Sequence, residues 1–149
     1  MRILWVEDSE DDVFLLTRAM YRSREMASFQ HVWNGCEAIN YLLGIGEYAN
    51  RIEFPLPDII IADIKMPIID GLKFVGWVRQ RDEFKEIPVL ILSSSGLSAD
   101  VARALSLGAA DYILKPEREP AWETLYSSVM TKCRKCVPPE SRGSEKPGV

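Results

Sequence analysis

A chain of 149 residues, 47% of them hydrophobic, is sized for one domain with its own core, and a net charge of -4 argues against a general nucleic-acid or anionic-membrane surface. No apolar run approaches the ~20 residues that a bilayer-spanning helix needs, and Ile3-Leu4-Trp5-Val6 leads into acids rather than a cleavage site. A cytoplasmic protein is expected, without membrane or nucleic-acid partners.

Arg2 to Val6 reads as a first strand, and Glu7-Asp8-Ser9-Glu10-Asp11-Asp12 follows at once. Ser9 with Asp12 fits a capping box, and acids in a first turn are favoured by the helix dipole, so capping explains Glu10, Asp11 and Asp12. It does not explain Glu7 and Asp8, which precede the cap and fall at the carboxyl end of the strand, where open sheets bind ligands. The helix runs to about Ser23.

Phe29 to Trp33 alternates and carries aromatic and β-branched residues, which predicts a second strand ending at an Asn34-Gly35 turn. His31 on it has no nearby ligand partner and is read as structural or exposed. Cys36 to Leu43 has helical spacing and is closed by Gly44 and Gly46. From Glu47 to Pro57 no period is sustained, so a long loop is expected, one that could carry partner contacts.

Pro57 to Gly71 is the most informative stretch. Ile59-Ile60-Ile61-Ala62 is continuously apolar, as in a central parallel strand covered on both faces, and it ends at a single carboxylate, Asp63. A helix containing Leu72, Val75, Trp77 and Val78 follows. Ile87 to Leu92 predicts a fourth strand ending in Ser93-Ser94-Ser95-Gly96, Ser98 is the expected cap of a helix closing at Gly108, and Ala110 to Leu114 predicts a fifth strand ending in Lys115-Pro116. From about Glu119, the residues Trp122, Leu125, Tyr126, Val129, Met130 and Cys133 form an i, i+3, i+4, i+7 stripe.

Three cysteines, Cys36, Cys133 and Cys136, make no even disulfide framework and fit a reducing compartment. Cys133 and Cys136 would need two more ligands for a structural zinc site, and are read as ordinary helix-end residues. Val137 onward, rich in Pro, Gly and Ser, is expected to be a flexible tail, 137–149, behind one domain, 1–136.

Five strands alternating with five helices predict a doubly wound parallel sheet. The pattern leaves the strand order open. With the flavodoxin-like order 2-1-3-4-5, the ends of strands one and three are neighbours and Glu7 and Asp8 meet Asp63. Three carboxylates so placed repel one another unless a cation intervenes, and magnesium, an oxygen-seeking ion that accepts a few carboxylates beside phosphate oxygens, suits them. Ser93 and Lys115 end strands on the same edge and add a hydroxyl and an ammonium.

Glu7-Asp8, Asp63 within Asp-Ile-Lys-Met-Pro-Ile-Ile-Asp-Gly, Ser93 and Lys115-Pro116 together resemble the signature of the response-regulator receiver domains (CheY-like) of two-component signalling, over roughly Arg2 to Met130. The resemblance implies a (βα)5 fold and a phosphoacceptor rather than an enzyme. Asp63 would take a phosphoryl group from a histidine kinase. Glu7, Asp8, Asp63 and the backbone carbonyl of Lys65 would hold Mg2+, while Ser93 and Lys115 would bind phosphoryl oxygens. Ser93 and Tyr112 would form the switch, passing the signal to a downstream protein target through the face made by the fourth helix, last strand and last helix. The loop at Gly46-Glu47-Tyr48-Ala49-Asn50 resembles that of small stand-alone regulators associated with bacterial phytochrome kinases, which implies a phytochrome-like kinase partner. In that subgroup Lys65 stands where Asn is common, and this position and Ser95 tune the phosphoryl lifetime.

The stripe from Trp122 to Cys133 is read first as a core-facing helix, with a homodimer through the face containing Tyr112, Trp122 and Tyr126 as a second use. The alternative function is a receiver-fold binding module that works without phosphorylation. A flavodoxin-like redox protein is disfavoured, because the first strand is followed by acids where a phosphate-binding loop needs backbone N–H donors.

Overall fold

Continuous apolar runs set the architecture, because a strand buried on both faces has to be covered by helices on both. In the computed structural model, which describes residues 1–25, 27–118 and 121–140, strands β1 (Arg2–Val6), β2 (Ser28–Val32), β3 (Ile59–Ala62), β4 (Val89–Ser93) and β5 (Asp111–Leu114) alternate with helices α1 (Glu10–Arg22), α2 (Gly35–Leu43), α3 (Gly71–Arg79), α4 (Ser98–Ser106) and α5 (Trp122–Cys136). All four strand pairings are parallel, in the order β2-β1-β3-β4-β5. The flavodoxin-like (βα)5 sheet expected from the sequence is the one observed.

Strand side chains alternate between two cores, as the pleat requires. Leu4, Val6, Ile60, Ala62, Val89 and Ile91 point to the side of α2 and α3, packing with Tyr41, Phe74 and Val78. Ile3, Trp5, Ile59, Ile61, Leu90 and Leu92 point to the other side, against Leu16, Leu125, Tyr126 and Val129 of α1 and α5. Among the described residues, the two layers leave buried polar side chains only one end of the sheet.

Several local expectations change. Asn34-Gly35 is not a hairpin turn: Asn34 is the N-cap of α2, its Oδ1 accepting the Glu37 N–H at 2.9 Å, and Gly35 is the first helical residue. Parallel strands cannot be joined by a tight turn, so a helix has to begin there. Ser98 is not a cap either; Leu97 occupies that position without a side-chain bond, and Ser98 is inside the helix. Residues 46–57 are better ordered than a loop without period suggests. A 3-10 turn spans Gly46–Tyr48, the Phe54 ring packs edge to face with Tyr41 and Tyr48, which are tilted against each other, and Arg51 donates to the Tyr41 and Leu42 carbonyls at 2.7 and 2.6 Å. Arg51 thereby adds donors to carbonyls in the last turn of α2, where the C-cap Gly44 N–H also reaches the Tyr41 carbonyl at 3.2 Å.

The α5 stripe is core. Trp122 and Tyr126 are 4% and 1% exposed and pack inside their own chain, so the dimer face expected through them is unavailable; a stripe that matches the helical period is satisfied by the sheet beneath it. The first helical residue is Trp122, and Glu119, where the stripe was expected to begin, lies outside the described residues. Cys133 is fully buried, which pushes its thiol up to about 12, and all three cysteines are free. Val137 is also buried, so the expected tail does not start there; its last part, 141–149, lies outside the described residues.

Among the described glycines, the tightest approach is at Gly71. A Cβ there would sit 2.1 Å from the Asp63 carbonyl oxygen, whereas a Cβ at Gly76, inside α3, would meet nothing within 4 Å. Gly71→Ala is expected to cost about 3 kcal/mol of unfolding free energy through backbone displacement. Gly76→Ala should gain about 0.5–1 kcal/mol from helix propensity. Urea denaturation of the two variants checks both signs.

Candidate functional site at the carboxyl edge of the sheet

Among the described residues, the buried polar or charged side chains are Glu7, Asp63, Ser93 and Lys115. All four stand at the carboxyl ends of strands, or one residue beyond. Burying such groups costs several kcal/mol each unless they are partnered, so their concentration at one edge marks a built site rather than a packing accident.

Strand pairing brings the acids together. The Glu7 N–H donates to the Val32 carbonyl at 3.1 Å and the Asp63 N–H to the Val6 carbonyl at 3.2 Å, which extends the ladder one residue past β1 and β3. Glu7, Asp8 and Asp63 each offer a carboxylate oxygen within 4.8 Å of the others, Asp8 from an exposed position. Asp63 Oδ1 accepts the N–H of Ile64 at 2.7 Å, which fixes the carboxylate plane, and Oδ2 accepts from Lys115 Nζ at 2.9 Å.

Lys115 reaches this cluster from the far side of the site. Its N–H donates to the Ser93 carbonyl at 2.8 Å, and its ammonium contacts Glu7 Oε2 at 2.6 Å, Asp12 Oδ2 at 2.7 Å and Asp63 Oδ2 at 2.9 Å. Three acceptors match the three N–H bonds of an ammonium. Desolvation works against its charge, but the field of Glu7 and the bonds to Asp12 and Asp63 outweigh it and raise its pKa. The Glu7 pKa is raised as well, which for a carboxyl disfavours the charged form. Burial pushes its carboxyl up to about 7, assisted by the negative charge of Asp63 and opposed by Lys115 and by the Ser9 N–H that bonds Oε1 at 3.1 Å.

Asp12 is the residue that sequence reasoning missed. Ser9 Oγ does accept the Asp12 N–H at 3.3 Å, as a cap should, but the Asp12 carboxylate turns to Lys115 instead of closing the box. Helical side chains tilt toward the helix N-terminus, and that geometry, applied to a helix leaving the strand end, would have aimed Asp12 at the cluster.

The remaining expected residues fall around this centre. Ser93 is fully buried at the end of β4, its Oγ accepting the Ser95 N–H at 3.3 Å. Tyr112 is half-buried on β5 and donates its hydroxyl to the Ser95 carbonyl at 2.6 Å. Lys65 has an exposed side chain and is not among the clustered acids. His31 is structural: its Nε2 lies 2.9 Å from the Glu7 carbonyl, and its ring stands edge-on to Trp5 and Trp33.

An acidic cluster and a buried lysine at the strand ends of a 2-1-3-4-5 parallel sheet define the receiver class of fold and site. Residues 3–125 match the family model of the response regulator receiver domain, and the chain belongs to that family, whose members serve two-component systems. The two-component response regulator ARR3 of Arabidopsis thaliana is 30% identical over 119 residues, covering 78% of this chain and 50% of that protein. The Regulator of RpoS from Escherichia coli K12 is 40% identical over 79 residues, covering 49% of this chain and 23% of that protein. The chain therefore spans half or less of the length of these curated relatives. Among solved structures, the phosphorylated cyanobacterial phytochrome response regulator RcpA superposes with a TM-score of 0.77 at 30% identity over 86% of this chain and 89% of that one. RPA3017, a response regulator in red light signalling of R. palustris, gives 0.80 at 29% identity over 86% and 90%. The Mn2+-bound form of Rcp1 gives 0.78 at 27% identity over 87% and 91%.

Lys115 and Asp8 should move stability in opposite directions in the presence of a chelator. Lys115→Met leaves buried carboxylates unpaired and is expected to cost about 3 kcal/mol. Asp8→Asn removes a charge that repels its neighbours and should gain about 0.5–1 kcal/mol. Urea melts at neutral pH distinguish the two.

Proposed function

We propose that this protein is a magnesium-dependent phosphoacceptor, taking a phosphoryl group from a histidine kinase onto Asp63 and acting as a switch or relay carrier. The observation that supports it most is the confinement of buried polar side chains to Glu7, Asp63, Ser93 and Lys115 at a single edge. A store of perturbed titratable groups, Glu7 and Lys115 both shifted upward, is the mark of chemistry rather than of folding.

The residues present fit a divalent cation. Glu7, Asp8, Asp12 and Asp63 face one ammonium, so negative charge is in excess, and the Glu7, Asp8 and Asp63 oxygens are close enough together for one ion. Glu7, Asp8, Asp63 and the Lys65 carbonyl would hold Mg2+. When bound, the ion offsets carboxylate charge and binds phosphate oxygens.

Asp63 supplies the nucleophile. A carboxylate oxygen forms the new bond to phosphorus, the P–N bond of a phosphohistidine donor breaks, and its electron pair stays on the imidazole. Lys115 neutralises charge on a phosphoryl oxygen, the main contribution a protein makes to such a transfer, and Ser93 donates its hydroxyl to another. Ser93 and Tyr112 then form the switch, through which a downstream protein reads the state of Asp63. The likeness to RcpA and RPA3017 favours a phytochrome-like kinase as the donor. No helix among the described residues is long and apolar enough to cross a membrane, which is compatible with a cytoplasmic kinase domain as partner.

Acetyl phosphate with Mg2+ should label the wild type once per chain, and Asp63→Ala not at all, read by intact mass. Equal labelling of both would remove Asp63 from this role, and an unlabelled wild type would favour a binding module independent of phosphorylation. Mg2+ at about one hundred times its dissociation constant should raise the unfolding free energy by about 2.7 kcal/mol. Asp8→Asn should lose most of that gain.

A further inference from the structure

The loop between β4 and α4 is joined to its surroundings through one residue, Ser95. Its hydroxyl donates to Asp100 Oδ2 at 2.5 Å, its carbonyl accepts the Tyr112 hydroxyl at 2.6 Å, and its N–H donates to Ser93 Oγ at 3.3 Å. The end of β4, the first turn of α4 and the β5 edge strand thus meet at one residue.

Asp100 would be unremarkable as an acid in a first turn, where the helix dipole favours it. The dipole does not account for a short bond to a hydroxyl on the preceding loop. That bond is charge-assisted, about twice as strong as one between neutral groups, and both residues are half-buried, which shields it from water. Little else secures this end of α4. The helix has no side-chain cap, the Leu97 N–H reaches Ser95 Oγ only at 3.5 Å, and Ala104 is the helix's buried residue.

We propose that Asp100 is a positioning residue for the switch. By holding the Ser95 hydroxyl it sets the Ser95 carbonyl where Tyr112 can reach it, so the ring on β5, the start of α4 and the hydroxyl of Ser93 are placed together. Removing the Asp100 carboxylate frees the Ser95 peptide to rotate, and Tyr112 loses its acceptor. The signalling consequence rests on the reading of Ser93 and Tyr112 given above, whereas the positioning itself is measurable in the unphosphorylated protein.

The test compares the full chain with Asp100→Ala, Asp100→Asn and Ser95→Ala by NMR of ring-labelled tyrosine, Tyr112→Phe giving the assignment and the exposed Tyr21 a solvent reference. In Asp100→Ala and Ser95→Ala the Tyr112 signal should move toward that of Tyr21. Amide exchange at Ser95 and Leu97 should quicken about tenfold, the size expected for losing one charge-assisted hydrogen bond. Asp100→Asn, which keeps an acceptor oxygen, should stay near wild type. A wild-type Tyr112 signal in folded Asp100→Ala overturns the proposal, and Ser95→Ala reads the same bond from its other end should Asp100→Ala fail to fold. With acetyl phosphate and Mg2+, Asp100→Ala should still be labelled on Asp63 but lose the label-dependent change at Tyr112; an undiminished change overturns the coupling. Failure to label the wild type would count against the phosphoacceptor reading and leave the positioning result standing.

Discussion

The structure depends on one ammonium surrounded by acids. Lys115 is 7% exposed and contacts three carboxylates, an arrangement that desolvation opposes and that only mutual attraction sustains. It is also unbalanced, since Asp8 adds a fourth carboxylate to the same edge. The elevated Glu7 carboxyl expresses that imbalance: with Lys115 2.6 Å away it is still pushed up to about 7. A protein selected for stability alone would replace such a cluster with apolar groups. This one maintains negative charge in excess at the place where an added cation would relieve it.

The rest of the chain makes the cluster possible by containing no competitor. With the sheet covered on both faces, the interiors of the central strands β1, β3 and β4 are apolar, Gln30 and His31 lie on the edge strand β2, and the buried polar side chains gather where the strands run out. The order β2-β1-β3-β4-β5 puts β1 beside β3, so Glu7 and Asp63 become neighbours through backbone pairing, not through side-chain reach. The edge strand β5 then delivers Lys115 and helix α1 delivers Asp12, so the ammonium and its third acceptor reach the paired acids from outside the central strands.

Legibility in the sequence followed the same division. Ile59 to Ala62 and Val89 to Leu92 are apolar without interruption, so the strands and the residues terminating them, Asp63 and Ser93, could be read directly. Asp12 and Asp100 could not, because an acid in the first turn of a helix already has a sufficient local explanation in capping and the dipole. Their partners, Lys115 and Ser95, lie outside the helices that carry them. Trp122 and Tyr126 left two uses open, of which the core was the observed one: a stripe on a helical period says that one face is covered, but not whether a sheet or a second subunit covers it. Asn34-Gly35 likewise has two uses, and only the parallel connection decides between turn and cap.

The unequal anchoring of the two loops beside the site decides where a change at Asp63 can be expressed. After β3 the chain is pinned by its own backbone: Met66 N–H bonds the Ile64 carbonyl at 3.1 Å, Ile69 N–H the Pro67 carbonyl at 2.8 Å, and Gly71 N–H returns to the Ile64 carbonyl at 2.8 Å. Ile68 is held at φ 68 within this loop, a conformation a β-branched residue adopts only when its surroundings impose it. Gly71 leaves no room for α3 to approach further. After β4 the ties include side chains, those of Ser93, Ser95, Asp100 and Tyr112, and α4 buries Ala104 where α5 buries six residues. Local opening follows sparse burial. In the phosphoacceptor role proposed above, charge added at Asp63 would meet a rigid wall at α3 and a yielding one at α4, and the low-cost response would be displacement of the β4–α4 loop together with the ring of Tyr112.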